Sequence, residues 1–241
     1  MGSQRLLTIQ RAVQYLAQVA DDGPMTVQTL AETFEVPTST VYRYAAALRA
    51  AGMLWELPGG RLGLGPRCVQ LEMGFRKALE QWSPYRPVMS ELAASTGETI
   101  ALLVPVDAEA VCIDTVESDK PLRYSFVKGV ARSMLRGASA KAMLPFLPPG
   151  FLERLIDLDE ELDGEAVARL MAEVPLIRER GYAVSRGELD CGVWAVGVPV
   201  FNQAGECRGA LSTIAPEFRV GERESFLVRA TIEAAGRLPL I

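Results

Sequence analysis

The sequence predicts an α+β protein whose 241 residues suit one large domain or, as the patterns indicate, two modest ones. Helical periodicity dominates the first 50 residues and gives way to two short extended runs. From about residue 99 onward, paired strand patterns alternate with helical stretches. We expect a first domain at 1–65, a linker helix at 66–81 and a mixed α/β domain at 82–241.

Three helices are expected at the start of the chain. Apolar residues recur at helical spacing over residues 8–20, Thr26 is a good N-cap for a second helix, and a third helix is expected over 38–51. Two extended runs then flank Pro58-Gly59-Gly60, which indicates a hairpin. This order of helices, turn and hairpin is typical of a winged helix-turn-helix. Such a domain places its third helix in the major groove of DNA.

One face of the third helix is polar. Hydroxyls and backbone N–H groups near its start suit phosphate, and Arg43 suits phosphate or the acceptors of guanine. In the hairpin, Arg61 beside two glycines suits a minor groove or the DNA backbone. The alternative, that the hydroxyls only cap the helix and Arg43 is a solvated charge, is disfavoured by the ordered set of elements around it. The candidate DNA-contacting residues are Thr38, Ser39, Thr40, Tyr42, Arg43, Arg49 and Arg61.

Composition excludes several other functions. The chain has no histidine, which excludes Ser-His-Asp and Cys-His catalysis and histidine-rich metal sites. Its 4 cysteines are scattered without a C-x-x-C pair, so they are expected to be reduced. No apolar run is long enough to span a membrane and no signal-peptide pattern is present, so we expect a cytoplasmic location and no membrane partner. We also expect no metal, no cofactor and no catalytic residues.

The remaining elements follow from pattern and punctuation. A linker helix is expected to carry the apolar stripe Cys68, Leu71, Phe75 and Leu79, which would supply a contact between two copies. Strands are expected at 99–106, 111–116, 122–127, 182–186, 193–200 and 207–214. Helices are expected at 85–95, from 139 to before 148, over 151–180 with an interruption at Pro175, and at 222–237.

Several motifs together resemble those of the IclR family of transcriptional regulators, over nearly the whole chain. They are Ser39-Thr40-Val41-Tyr42-Arg43, then 136–142 (RGASAKA), 180–188 (RGYAVSRGE), Gly192-Val193 and Pro199-Val200-Phe201. The resemblance implies a GAF-like effector-binding domain, small organic acids or aromatics as effectors, and homodimers or homotetramers on an operator of double-stranded DNA. Many members of that family have a histidine before the second motif, where this chain has Met134-Leu135-Arg136.

The candidate effector site centres on Gly137, Ala138 and Ser139, at the expected first turn of a helix. Small residues there let a carboxylate approach the backbone N–H groups, although capping and tight packing are the alternative explanation. Tyr124, Asp190, Trp194 and Ser212 are further wall candidates. A tryptophan such as Trp194 is more often a core residue than a ligand contact, and the alternative role for Asp190 is to cap a turn. By the resemblance, Ser185, Val193, Ala195 and Ile214 also line the pocket.

The sequence thus predicts a DNA-binding regulator, more specifically a repressor, whose operator affinity is set by an organic acid or aromatic carboxylate, with the linker helix transmitting the change. One alternative is a DNA-binding dimer with a purely structural C-terminal domain. Another is a hydrolase with a Ser139/Lys141 pair. Two residues apart on a helix, those side chains point in different directions, which disfavours the hydrolase.

Overall fold

A computed structural model of the protein describes residues 2–78, 84–159 and 162–239, and the side chains of 2–8, 76 and 78 are not described. The chain divides into two compact units, Met1–Glu80 and Gln81–Ile241. The predicted α+β fold class is confirmed.

The N-terminal unit is a winged helix-turn-helix. Its helices are α1 (Gly2–Asp22), α2 (Val27–Thr33) and α3 (Thr38–Ala50), and its hairpin is β2 (Leu54–Leu57) and β3 (Arg61–Leu64). A two-residue strand that the sequence did not predict, β1 (Met25–Thr26), pairs with β3 and makes a three-stranded antiparallel sheet in the order β1-β3-β2. This strand ties the start of α2 to the wing.

Local signals and a small core explain these elements. The Thr26 hydroxyl accepts a hydrogen bond from the backbone N–H of Thr29 at 3.1 Å, as an N-cap does. Tyr15 of α1 packs its ring against those of Phe34 and Tyr44. One face of α3 is buried in this core and comprises Val41, Tyr44, Ala45 and Leu48.

Helix α4 (Arg67–Ala78) follows the wing and groups with the N-terminal unit. Its apolar residues Val69, Leu71, Met73 and Phe75 are all exposed within that unit. Leu79, the last member of the predicted stripe, lies outside the described residues. The assignment of 66–81 as a linker remains a prediction.

The C-terminal unit is built around a six-stranded antiparallel sheet. The strands are β4 (Thr99–Val106), β5 (Glu109–Val116), β6 (Ala131–Ser133), β7 (Ala183–Arg186), β8 (Val193–Phe201) and β9 (Cys207–Pro216). They lie in the order β6-β5-β4-β9-β8-β7.

The helices of this unit are α5 (Tyr85–Thr96), α6 (Ala138–Met143), α7 (Phe151–Leu158), α8 (Gly164–Arg180) and α9 (Glu224–Gly236), with 3₁₀ turns at Leu144–Phe146, Glu217–Arg219 and Gly221–Arg223. The helices α5 and α9 lie on one face of the sheet, and α6 lies on the other, with α8 packed beside it.

The predicted strand over 122–127 is wrong. Backbone carbonyls that a strand would present to a neighbour are bonded by side chains instead: Arg219 donates to the Leu122 carbonyl at 2.6 Å and Thr99 to the Tyr124 carbonyl at 2.7 Å. On the side of β5 away from β4, the neighbouring strand is the short β6 further along the chain. Tyr124 therefore lies on an irregular segment rather than on a strand.

The predicted break at Pro175 is also wrong, because α8 continues through the proline. Pro175 is on the exposed side of the helix, whereas Leu170 and Ile177 are buried on the inner side. Both ends are fixed: Asp163 caps the start by accepting from the Ala166 N–H at 2.7 Å, and Gly181 ends it in the left-handed conformation. Packing and capping thus outweigh the single lost backbone bond.

Candidate DNA-contacting surface and effector pocket

The outer face of α3 is open to solvent in the N-terminal unit. Thr38, Ser39, Tyr42 and Arg43 are exposed and Thr40 is half-buried. Tyr42 is 63% exposed, which is unusual for so large an aromatic side chain. The Arg43 guanidinium lies 5.5 Å from the centre of the Tyr44 ring, and this cation–π contact stabilises the position of the Arg43 side chain. This face is polar and open to solvent, as contact with a major groove requires.

The two other predicted DNA contacts differ in their surroundings. Arg61 is exposed at the start of β3, next to the tip of the wing. Arg49, near the end of α3, forms an ion pair with Glu56 of β2 at 2.8 Å. A phosphate would compete with Glu56 for this guanidinium, so Arg49 is the less available of the two.

In the C-terminal unit, a cavity lies between α6, the sheet and the segment joining β7 to β8. Because the sequence predicts the effector site at these residues, we name this cavity the effector pocket. Its empty space, including the open solvent at its mouth, is about 470 Å³. The pocket is lined by nine of the predicted residues: Tyr124, Gly137, Ala138, Ser139, Ser185, Asp190, Val193, Ala195 and Ile214. These nine residues come from β7, β8, β9, α6 and connecting segments, and the structure brings them to one space.

Two predicted wall residues do not line the pocket. Trp194 is fully buried on the opposite face of the sheet, where it packs against Val220 and Leu227. Its neighbours Val193 and Ala195 face the pocket, because side chains alternate along a strand. Ser212 is fully buried and its hydroxyl donates to the Ser139 hydroxyl at 2.7 Å, so it supports a lining residue from behind.

The sequence prediction missed several lining residues. They are Leu103, Ala110, Phe126, Arg132, Arg136, Ala140, Glu188 and Leu189. Leu103 belongs to the predicted strand 99–106, so strand alternation was the one signal available for it. Ala110 precedes the predicted strand 111–116, because β5 begins at Glu109, two residues earlier than predicted. Phe126 lies on the irregular segment before β6 and Arg132 lies on β6 itself, and no sequence pattern places either part of the chain at the pocket.

The backbone turn at Gly137 is where the anion site was predicted. Gly137 has φ of 83°, a conformation that favours glycine, and an added Cβ would lie 2.7 Å from the Leu189 side chain. Its N–H already donates to the Glu188 carboxylate at 2.9 Å. The chain therefore supplies its own carboxylate at this position.

Tyr124 closes the other side of the pocket. Its hydroxyl donates to the Asp190 carboxylate at 2.6 Å. Burial raises the pKa of Tyr124, and the hydrogen bond to Asp190 raises it further. The phenol therefore remains a neutral donor under ordinary conditions.

The Ser139/Lys141 arrangement is not that of a hydrolase. Ser139 pairs with Ser212, whereas the Lys141 ammonium donates to Glu173 at 2.9 Å and to Glu188 at 2.6 Å. The lysine is engaged by two carboxylates and does not activate the serine.

Comparison with known proteins identifies the family. Residues 79–238 match the family described as "Bacterial transcriptional regulator IclR C-terminal", and residues 8–57 match "IclR helix-turn-helix domain". The chain is 27% identical to the HTH-type transcriptional regulator KipR of Bacillus subtilis over 236 residues, covering 95% of this chain and 94% of KipR. It is 24% identical to the HTH-type transcriptional repressor AllR of Salmonella typhimurium over 239 residues, covering 92% and 83%.

Solved structures agree in fold. A putative IclR transcriptional regulator from Silicibacter sp. TM1040 superposes with a TM-score of 0.80 at 22% identity, covering 96% of each chain. The C-terminal domain of a putative transcriptional regulator from Vibrio cholerae is 35% identical, with a TM-score of 0.57, and covers 64% of this chain and 94% of that one. Within the described residues, no helix is long and apolar enough to cross a membrane. This chain belongs to the IclR family of transcriptional regulators, and it is a DNA-binding regulator, not an enzyme.

Proposed function

We propose that the protein is a cytoplasmic repressor whose affinity for its operator is controlled by a small organic acid or aromatic carboxylate bound in the effector pocket. The observation that carries this proposal is the pocket itself. It lies between a helix and a sheet, has mostly apolar walls, and contains a few convergent polar groups, as small-molecule sites do.

The lining favours an effector with an apolar body and an acidic end. Phe126, Leu103 and Ile214 form part of the apolar wall and suit an aromatic or aliphatic group. Arg132 and Arg136 bring positive charge to the same cavity. Guanidinium groups bind carboxylates well, which supports an organic acid over a neutral effector.

The repressor assignment is supported by the similarity to AllR, a transcriptional repressor, over 92% of this chain. On the DNA side, Thr38, Ser39, Thr40, Tyr42 and Arg43 on α3 contact the operator, with Arg61 on the wing and Arg49 as a secondary contact. The change in affinity passes from the effector domain to the DNA-binding domain through the linker helix.

An effector screen tests this proposal. An effector present at about 100 times its dissociation constant should stabilise the protein by about 2.7 kcal/mol, which thermal melting detects. The same compound should change operator affinity by roughly 5–150-fold. A purely structural C-terminal domain would respond to no compound in either assay.

Filling the pocket should abolish the response to the effector and leave operator binding intact. Ser139→Phe places a large ring in the cavity, and Val193→Phe does the same from a half-buried position with less effect on packing. Both variants should bind operator and ignore the effector, whereas Val106→Phe, at an exposed position, should respond as the parent does. If both pocket variants respond normally, the effector binds elsewhere.

A further inference from the structure

The segment that joins β7 to β8, residues 187–192, covers the effector pocket; we call it the lid. Leu189 of the lid lies over the backbone of Gly137, with 2.7 Å between its methyl carbon and the position of a Cβ there. Asp190 accepts the hydrogen bond from Tyr124. The lid is thus attached to the pocket by one apolar contact and by its two acidic side chains.

Glu188 of the lid accepts two hydrogen bonds from α6 and the residue before it. One carboxylate oxygen accepts from the Gly137 N–H at 2.9 Å and the other accepts from the Lys141 ammonium at 2.6 Å. The Lys141 side chain is only 6% exposed, and it also bonds Glu173 of α8. A buried ammonium of this kind requires carboxylate partners, because an unpaired charge there is costly.

Glu188 also separates two cavities. On one side lies the effector pocket, which it lines together with Arg136. On the other side a second cavity of about 700 Å³, counted out to the solvent, is lined by the same two residues and by Lys141, Leu170 and Glu173. Movement of the Glu188 side chain would widen the space between the two cavities and remove one of the two carboxylates bonded to Lys141.

We propose that Glu188 acts as an internal stand-in for the effector: the carboxylate of an effector takes its place on Gly137 and Lys141, and the lid is released. This inference rests on the proposed effector function and deepens it, because it specifies a carboxylate at a named pair of donors. The lid is exposed along 186–192, so the displaced Glu188 returns to water, where its charge is well solvated.

The exchange selects the chemical class of the effector. A carboxylate replaces one negative charge beside Lys141 with another and restores both hydrogen bonds. A neutral amide of the same shape leaves the ammonium with Glu173 as its remaining carboxylate, and a cation adds repulsion. The lid thereby gives the pocket a preference for acids that its apolar walls alone do not provide.

The test uses Glu188→Ala, which removes the stand-in, and acetate as the probe. The variant should melt below the parent, and acetate at about ten times its dissociation constant should raise its melting temperature by roughly 3–6 °C. Acetamide, or chloride at equal ionic strength, should not. The parent and Glu222→Ala, which lacks an exposed glutamate outside the pocket, should show no acetate effect.

Hydrogen exchange of the lid provides the second readout. Amides of 187–192 should exchange faster in Glu188→Ala than in the parent, and they should remain fast with acetate bound, because free acetate fills the site without holding the loop. Glu188→Gln keeps the size of the side chain and loses its charge. It should loosen the lid without binding acetate, and it provides the comparison if the alanine variant does not fold.

Three results would overturn the proposal: no acetate stabilisation of Glu188→Ala, an acetate effect that returns lid exchange to the parent rate, or an unchanged lid in Glu188→Gln. None of these measurements involves DNA. An effector that still controls operator affinity would then leave the proposed function intact and remove only the displacement of Glu188.

Discussion

Arg43 is a side chain whose removal should weaken DNA binding without changing the stability of the fold. It is exposed on the outer face of α3, while the buried residues of that helix lie on the other side. Arg43→Ala should therefore weaken operator binding by roughly 5–150-fold, the loss of about 1–3 kcal/mol of contact energy, and leave the melting temperature unchanged. The measurement is binding to an operator that the parent protein selects from a random DNA pool.

Arg229→Ala is the matched control for Arg43→Ala, since it removes an equally charged, exposed side chain from α9 of the C-terminal unit. It should bind the operator as the parent does. Unchanged operator affinity in Arg43→Ala would show that α3 does not read the DNA.

Glu98 illustrates the opposite case, a charge on which the fold depends. Its carboxylate is fully buried and accepts hydrogen bonds from Arg219 at 2.6 Å and from Lys120 at 2.9 Å. Burial alone raises the pKa of Glu98, but the bonds from Arg219 and Lys120 outweigh burial and hold this pKa below its ordinary value of 4.5. The group thus stabilises the folded state only while it is ionised.

The lowered pKa of Glu98 makes the stability of the folded protein depend on pH. Because the folded pKa is depressed, the contribution of Glu98 is fully present above the unfolded pKa near 4.5 and is lost as the pH falls through the folded value. Glu98→Ala should lower the free energy of unfolding by about 3–5 kcal/mol at pH 7, since Arg219 loses its partner. Urea titrations at pH 7 and pH 3 check this, and an equal loss at both pH values would contradict it.

At the scale of elements, one close approach positions the pocket. Helix α6 packs so tightly on β8 that a Cβ at Gly197 would lie 2.4 Å from the Ala138 carbonyl oxygen and 2.8 Å from the Ser139 Cα. Gly197→Ala should push α6 from the sheet and cost about 1–3 kcal/mol of stability. Gly236→Ala, in α9 with nothing within 4 Å, should be neutral or stabilising. Denaturant unfolding of the two variants compares them, and equal stability would mean that α6 yields without cost.

The elements that the sequence predicted well are those whose signals are local. Thr26 and Gly97 cap helices α2 and α5 through bonds to the adjacent turn, and the Pro58-Gly59-Gly60 turn closes the wing. The errors arose where distant residues decide the outcome. The segment 122–127 has strand composition, but Arg219 and Thr99, far away in the sequence, take its carbonyl groups.

The same distinction between local signals and distant contacts explains which pocket residues could be predicted from the sequence. Gly137 to Ser139 were predicted from small residues at a helix start, whereas Val193 and Ala195 were predicted by the resemblance to the IclR family. Trp194 was assigned to the wrong face because the register of β8 cannot be read from its uniformly apolar sequence. Glu188 was missed as a lining residue, since its role depends on a lid that folds back over α6.

For the whole molecule, the central question is how one small DNA-binding unit achieves useful affinity. Residues 1–65 carry five arginines and five acidic residues, so a single copy offers few phosphate contacts. Two copies double those contacts and double the number of bases read. We therefore expect the protein to bind DNA as a homodimer or homotetramer.

We expect helix α4 to provide the surface for that association. Leu71 and Phe75 lie one turn apart and are 56% and 51% exposed in the N-terminal unit. The parent should scatter light as at least a dimer at micromolar concentration, and a mass near 26.2 kDa would contradict this expectation. A double substitution, Leu71→Glu with Phe75→Glu, should lower the mass toward that of a single chain and weaken operator binding at least tenfold, because the contacts of the second copy are lost.

Charge alone has to be separated from association, because added glutamates also repel DNA. Leu158→Glu with Phe218→Glu introduces the same two charges at leucine and phenylalanine positions of the C-terminal unit that are 63% and 72% exposed. This control changes net charge equally. If α4 mediates dimer formation, the control keeps the parental mass and most of its operator affinity, whereas the α4 variant loses both. Equal loss of affinity in the two variants, with the mass unchanged in both, would assign the effect to repulsion and remove α4 as the dimer contact.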